Sequence, residues 1–306
     1  YAQVLTFRMA NPVALIEQPL GEGVQNVATA NVNGSWQIIP GLHLSGRFAV
    51  QQFEGLQGFA AQSDEFVFGW GNGGFAQRYS DKTLNQFGEA AMSYSVAVGR
   101  QRLGLSGGYS SQNVAYETEY REGRNWLVPG FSYEDLLLED RYLFSTHQLT
   151  GFWGGAQLDM SNGLQVSAML RREGSSRLGR NGKWAWLPAI HAAWDLRRIF
   201  NAGTWDALRL RSSYGWAGNV PQRSYLSLLN WVGGTPFLIE GAYAPTQIPL
   251  HYGNPDLTRE IRKEWNFGFD WALPDRRFFL SADYYRSRSA DVIRRVFQDF
   301  VIAGVG

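Results

Sequence analysis

Large apolar and small or polar side chains alternate with a period of two along most of this chain, and nothing else in the sequence restricts the fold so strongly. In Trp265-Asn266-Phe267-Gly268-Phe269-Asp270-Trp271 the odd positions are aromatic and the even ones small or polar. After Leu273-Pro274-Asp275-Arg276, residues Phe278, Leu280, Ala282 and Tyr284 share one face, and Ser281 and Asp283 the other. Four more segments repeat this hairpin pattern. Residues 26–39 set Ala28, Ala30, Val32, Trp36 and Ile38 against Thr29, Asn31, Asn33, Ser35 and Gln37. Past Pro40-Gly41, Leu42, Leu44, Phe48 and Val50 oppose His43, Ser45, Arg47 and Gln51. Residues 86–99 place Ala90, Met92, Tyr94, Val96 and Val98 against Glu89, Ser93 and Ser95, then turn near Arg100-Gln101 and return through Leu103, Leu105 and Tyr109. Residues 147–160 turn at Ser161-Asn162-Gly163 into Leu164, Val166, Ala168 and Leu170, with Gln165, Ser167 and Arg171 opposite. Residues 184–196 carry Trp184, Trp186, Ile190, Trp194 and Leu196, and return through Leu208, Leu210, Tyr214 and Trp216, with Arg209 and Arg211 opposite. This periodicity belongs to strands, and it predicts about ten of them, paired as antiparallel hairpins.

The connections are asymmetric. One set is mostly short (39–41, 100–101, 161–163, 197–206, 274–277), and the other mostly long (54–84, 115–146, 175–183, 217–261). Short turns at one end and long loops at the other are the arrangement of an outer-membrane β-barrel, and a soluble sandwich has no reason to segregate its loops this way. The two faces fix the orientation. A closed sheet of ten or more long strands is too wide for side chains to fill, so the polar face is expected to line water and the apolar face to meet lipid. Arg47, Arg171, Arg209, Arg211, Asn266 and Asp270 are then lumen-lining. Trp186 and Trp194 lie eight positions apart on one face. That is about 26 Å along a strand, or about 20 Å along the membrane normal at the tilt usual for such barrels. Trp265 and Trp271 flank another strand in the same way, and all four are expected to be interfacial girdle residues.

Composition agrees. The 306 residues include 35 glycines, 12 tryptophans, 14 tyrosines and 19 phenylalanines, with only 18% charged residues. The net charge of +1 argues against a nucleic-acid binder. With no cysteine, disulfide scaffolds, thiolate zinc sites, iron–sulfur clusters and thiol catalysis are excluded. No apolar run approaches the length of a transmembrane helix. The chain opens Tyr1-Ala2-Gln3 without a charged start or apolar stretch, so a processed chain or a piece of one is expected.

Catalytic patterns fail on context. Gly69-Trp70-Gly71-Asn72-Gly73-Gly74 fits the dinucleotide glycine pattern, but the next regular element has period two and is no helix. Gly104-Leu105-Ser106-Gly107-Gly108 fits a nucleophile elbow, yet Ser106 falls mid-strand on the polar face. His43, His147, His191 and His251 have no metal-ligand spacing, with His43 and His191 expected toward lumen water, and Glu139-Asp140 reads as a solvated loop pair. Neither an enzyme nor a cofactor or metal is expected. The long loops are rich in aromatics and amides. Residues 115–146 carry Tyr116, Tyr120, Trp126, Phe131 and Tyr133, and residues 217–261 carry Tyr225, Asn230, Trp231, Phe237, Tyr243, His251 and Tyr252. Trp126, Tyr225, Trp231, Tyr243 and Tyr252 are the candidate substrate contacts, as stacking surfaces for sugars or peptide side chains. Loop-on-loop packing is the alternative for each of them.

Five blocks, in family order, resemble SusC/RagA-like TonB-dependent outer-membrane transporters. These are Asn11-Pro12-Val13-Ala14-Leu15-Ile16-Glu17, the run Leu170-Arg171-Arg172-Glu173-Gly174-Ser175-Ser176-Arg177-Leu178-Gly179, and the strand Trp184 to Leu196. The others are Leu208 to Gly215 with Gly218-Asn219, and Asn254-Pro255-Asp256-Leu257 followed by Glu264 through Asp283-Tyr284-Tyr285. The resemblance implies a 22-stranded barrel around a plug, import powered by TonB, a SusD-like surface lipoprotein as partner, and oligosaccharide or oligopeptide substrates. Contact with membrane lipid and lipopolysaccharide follows from the location in the outer membrane. With about ten strands and no plug, residues 1–306 are expected to be a partial barrel domain, the plug and remaining strands lying outside this sequence. Two other readings stay open: an accessory barrel without active transport, and a soluble β-rich adhesin or glycan-binding module.

Overall fold

The structure is a computed structural model, and it describes residues 20–61, 74–126, 141–200, 205–239 and 241–294. The alternating segments are strands: β1 (Leu20–Ile39), β2 (Leu42–Ala61), β3 (Gly74–Val98), β4 (Gln101–Trp126), β5 (Arg141–Asp159), β6 (Leu164–Ser175), β7 (Trp184–Asp195) and β8 (Ala207–Asn219). A single helical turn, α1 (Arg197–Phe200), separates β7 from β8. There follow β9 (Asn230–Ile239), β10 (Ala242–His251), β11 (Glu260–Ala272) and β12 (Phe279–Ala290). Ten strands form one sheet in the order β1-β2-β3-β4-β5-β6-β7-β8-β11-β12, while β9 and β10 pair only with each other. Each strand of this sheet thus pairs with the strand that precedes it within the sheet, as in an up-and-down barrel wall, the β9–β10 hairpin being inserted between β8 and β11.

Two corrections to the sequence reading concern the long connections. Strands β1 to β5 run well past the predicted ends, so the connection at 54–84 shrinks to residues 62–73 and that at 115–146 to 127–140. The segment 217–261 is not one loop but contains the β9–β10 hairpin. The short turns fall where expected, with Gly99-Arg100 one residue before the predicted turn between β3 and β4. Two of these turns need glycine. Gly41 has φ +83 behind Pro40, and Gly163 has φ +86 with Asp195 O only 2.6 Å from where a Cβ would stand. Both sit in the left-handed region that side chains rarely adopt.

The chain divides into two compact units. The first comprises residues 1–32, 49–86 and 113–146, and the second residues 33–48, 87–112 and 147–306. In the second, continuous register from β5 to β12 carries the faces across strands. Gln157, Ser167, His191, Ser213, Asn266 and Tyr285 form one cross-strand row. The adjacent row on the other face is Leu158, Val166, Ala192, Ser212, Phe267 and Tyr284. The apolar face has no protein cover. Ile190 is 51% exposed and Phe267 49%, with Trp186, Leu210 and Leu170 similar. Large apolar side chains left bare in rows demand an apolar solvent.

Candidate functional site

The polar face of the second unit is built on arginines seated over glycines. On β8, Arg211 reaches Asp270 of β11 with Nε and Nη2 at 2.8 and 2.9 Å, and Asp283 of β12 at 3.2 Å. Ser281 Oγ donates to the same Asp270 carboxylate at 2.8 Å. This reach crosses β11 at Gly268, where a Cβ would stand 2.6 Å from Arg211 Cζ. Arg171 lies likewise over Gly151, and donates to Glu173 at 2.8 Å and Ser110 at 3.1 Å. Arg209 is in register with Asp195 and Asp270. Arg47 stacks 5.7 Å from the Phe87 ring and lies in a concavity with Glu89 and Asn33. A larger concavity of about 1070 Å³ is lined by His43, Arg102, Gln157, Asp159, His191 and Glu264. Ser106 also lines it, from mid-strand β4, without the strand-to-helix turn a nucleophile needs.

All of the predicted lumen residues on β6, β8 and β11 are therefore on one face, and Trp186, Trp194, Trp265 and Trp271 on the other. Trp194 donates to Asn162 O at 3.4 Å beside the β5–β6 turn, and Trp271 packs edge-on against Phe278 at 5.5 Å beside the β11–β12 turn. Trp186 and Trp265 lie toward the long-loop end of their strands, the former under Arg172. Tyr109, Phe152 and Trp184 continue this aromatic row, with centroids 5.0 and 6.5 Å apart.

Beyond that row lies an interlock that no periodicity reveals. Arg259, 1% exposed, donates from Nη1 to Glu173 Oε1 at 2.7 Å and from Nη2 to Glu173 O at 3.0 Å. Its neighbours Pro255–Thr258 lie across the turn at 179–182. Gly179 N donates to Leu257 O at 2.8 Å, and Asn181 N to Pro255 O at 3.1 Å. Asn181 Nδ2 adds a 2.6 Å bond to Asp256. Gly179 is obligatory here, since a Cβ would stand 2.1 Å from Pro255 O. Two sequence blocks that look independent are thus halves of one contact.

Next to it Arg177 Nη2 lies 3.0 Å from His147 Nδ1. Burial, followed by the Arg177 charge, lowers the His147 pKa. The unfolded chain therefore takes up a proton first as pH falls below about 6.5, and this contact loses stability from there downward. His147→Gln is expected to flatten that loss, read as the difference in thermal midpoint between pH 7 and about pH 5; an unchanged slope would refute it.

In the first unit, the extended strands carry a tyrosine cluster. The Tyr79 and Tyr116 hydroxyls are 3.1 Å apart, and Tyr120 donates to Gln77 at 3.4 Å and closely to Glu122. Arg141 lies 5.4 Å from the Tyr120 ring and Arg124 5.2 Å from that of Phe75. The Tyr120 hydroxyl, aided by Arg124, holds the Glu122 carboxyl below the usual range. Hydroxyl, amide and charged groups on aromatic walls suit a polyol or a peptide. Tyr116 and Tyr120 were expected in a loop and Tyr79 not at all; no alternation marks these segments.

The predicted substrate contacts fall on several elements. Trp231 and Tyr243 stand on β9 and β10, with Tyr243 77% exposed, and Tyr252 follows β10. Tyr225 has φ +65 and accepts a bond from Leu228 N at 3.0 Å. Trp126 ends the β4 backbone, and its side chain lies outside the described residues, as do the 69–73 glycines, Phe131, Tyr133, Glu139-Asp140 and the His251 side chain.

The family model described as TonB dependent receptor-like, beta-barrel, matches residues 16–306. The TonB-dependent receptor P3 of Formosa agariphila is 27% identical over 92% of this chain. The TonB-dependent receptor SusC of Bacteroides thetaiotaomicron is 23% identical over 94%. The chain spans 29% of the length of each of these relatives. Among solved structures, that of the RagAB peptide transporter superposes with a TM-score of 0.78 over 92% of this chain and 32% of that one, at 18% identity.

Proposed function

From the membership of this chain in the TonB-dependent receptor-like β-barrel family, proteins of the outer membrane, we propose that it is a wall segment of an active nutrient importer. The carrying observation is the sheet with a bare apolar face bounded by tryptophans and a polar face ordered by arginine–carboxylate bridges. Lipid meets the first face and the transport path the second. This chain contributes part of the barrel wall, and the plug and remaining strands come from the rest of a longer polypeptide. Import is driven through TonB, and a SusD-like lipoprotein meets the long-loop end. The substrate is an oligosaccharide or an oligopeptide. The fold shared with the RagAB peptide transporter supports the oligopeptide part of this range. Trp126, Tyr225, Trp231, Tyr243 and Tyr252 contribute individual substrate contacts, and the Tyr79–Tyr116–Tyr120 cluster contributes its own.

The test is uptake of labelled oligosaccharide and oligopeptide pools by cells with and without the gene. Deletion is expected to abolish uptake of one pool, and a protonophore to abolish it equally. Tyr120→Ala is expected to raise the half-saturating concentration about tenfold, the loss of one good stacking and hydrogen-bonding residue. Uptake that survives the protonophore would establish the accessory, passive barrel instead.

A further inference from the structure

The outward, apolar face carries a close group of cations without a carboxylate partner among the described residues. On the polar face Arg171, Arg211 and Arg262 each hold a carboxylate, and Arg259 is bridged to Glu173 in the interlock. On the outward face Lys263, Arg286 and Arg288 hold none among the described residues. They are also close together. Lys263 of β11 stands directly opposite Arg288 of β12, and Trp265, two positions along, opposite Arg286. Tyr214 and Trp216 of β8 complete the same rows. Lys263 Nζ lies 3.9 Å above the Trp216 ring, and Trp216 Nε1 donates to Tyr214 at 3.0 Å. Two strands away on this face, Arg172 lies 5.3 Å from both the Trp184 and Trp186 rings.

Like charges directly opposite on antiparallel strands repel. An anion between them reverses the sign of that contribution. The site's depth says which anion. These residues are at the long-loop end of the apolar band, at the level of the outer aromatic row, where phosphate groups of the outer leaflet meet the acyl layer. Their surroundings are indole and phenol faces, suited to a headgroup that is charged at one end and apolar at the other.

We propose that Lys263, Arg286 and Arg288, walled by Trp216 and Trp265, bind the phosphomonoester of an anionic lipid headgroup in the outer leaflet. This rests on the barrel reading above and adds to it a defined lipid site. The test uses the full-length protein, purified from outer membranes in mild detergent and titrated with a bis-phosphorylated acylated disaccharide lipid by native mass spectrometry. The triple variant K263Q/R286Q/R288Q is expected to bind on the order of a hundredfold more weakly, at roughly fivefold for each basic residue near the surface. The dephosphorylated lipid should bind wild type no better than the phosphorylated lipid binds the variant. Ser289→Gln, on the opposite face of β12, should leave binding intact. Unchanged binding by the triple variant, or equal binding of the dephosphorylated lipid, overturns the site. Complete displacement of the lipid by inorganic phosphate at equal concentration overturns it too, in favour of a soluble anion. Heat-modifiable migration of the same preparations separates the two ideas: a heat-modifiable wild type together with unchanged lipid binding by the triple variant removes only the lipid site, whereas a wild type that needs no detergent removes both.

Discussion

Arginine in place of Ile190 or Phe267 is expected to block assembly of the full-length protein in the outer membrane, while arginine in place of Ser213 or Asn266 is tolerated. Ile190 lies midway between Trp186 and Trp194 on β7, and Phe267 between Trp265 and Trp271 on β11. Both are therefore near the middle of the apolar band, where a charge facing lipid costs about 2–4 kcal/mol. Register places Ser213 opposite Asn266 in the polar row with His191 and Tyr285, only one residue from the bare face. A one-residue offset thus separates a forbidden position from a permissive one. The measurement is the heat-modifiable, membrane-extracted fraction of each variant. Equal damage at all four positions would refute the assignment of faces, and the smallest loss at Ile190 and Phe267 would reverse it.

The sharpness of that contrast explains why the membrane band was legible in the sequence. Between the tryptophans every residue must choose lipid or water, so chemistry alternates and the ten sheet strands follow from it. Past the tryptophans both faces meet water and the choice disappears. On β2 to β4 the segments with Glu54, Lys82, Glu119 and Arg121 are still strands, held by pairs such as Lys82 to Glu54 at 3.5 Å and Arg121 to Glu119. Their sequence mixes charged, aromatic and small residues without a clear apolar face, so it reads as loop. The β9–β10 hairpin escaped for the opposite reason. Its apolar residues fall in unbroken runs such as Phe237, Leu238 and Ile239, all exposed, and prolines and glycines interrupt the rest, so no period of two shows. The candidate site divides in the same way. Arg171, Arg211 and Asp270 were found because alternation marks the polar face, whereas Tyr79 with Tyr116, and Glu173 with Arg259, depend on partners 37 and 86 residues away.

The Glu173–Arg259 contact carries the second large effect. Glu173→Ala leaves the Arg259 guanidinium without its carboxylate in a site where only 1% of that side chain reaches solvent. A buried charge stripped of its partner costs about 3–5 kcal/mol. Arg171 turns toward the same carboxylate and loses its partner too, but it is 30% exposed and solvent screens it. The damage should be local, because the β6–β7 and β8–β11 ladders do not depend on this pair. What opens is the crossing of 254–259 over 179–182, so the Gly179 and Asn181 amides, which donate to Leu257 and Pro255, should lose hydrogen-exchange protection. The double variant E173M/R259M should cost less than Glu173→Ala alone, because it removes the charge together with its partner. Protection of those two amides that survives Glu173→Ala would show that backbone hydrogen bonds alone hold the crossing, and that Arg259 is buried for another reason.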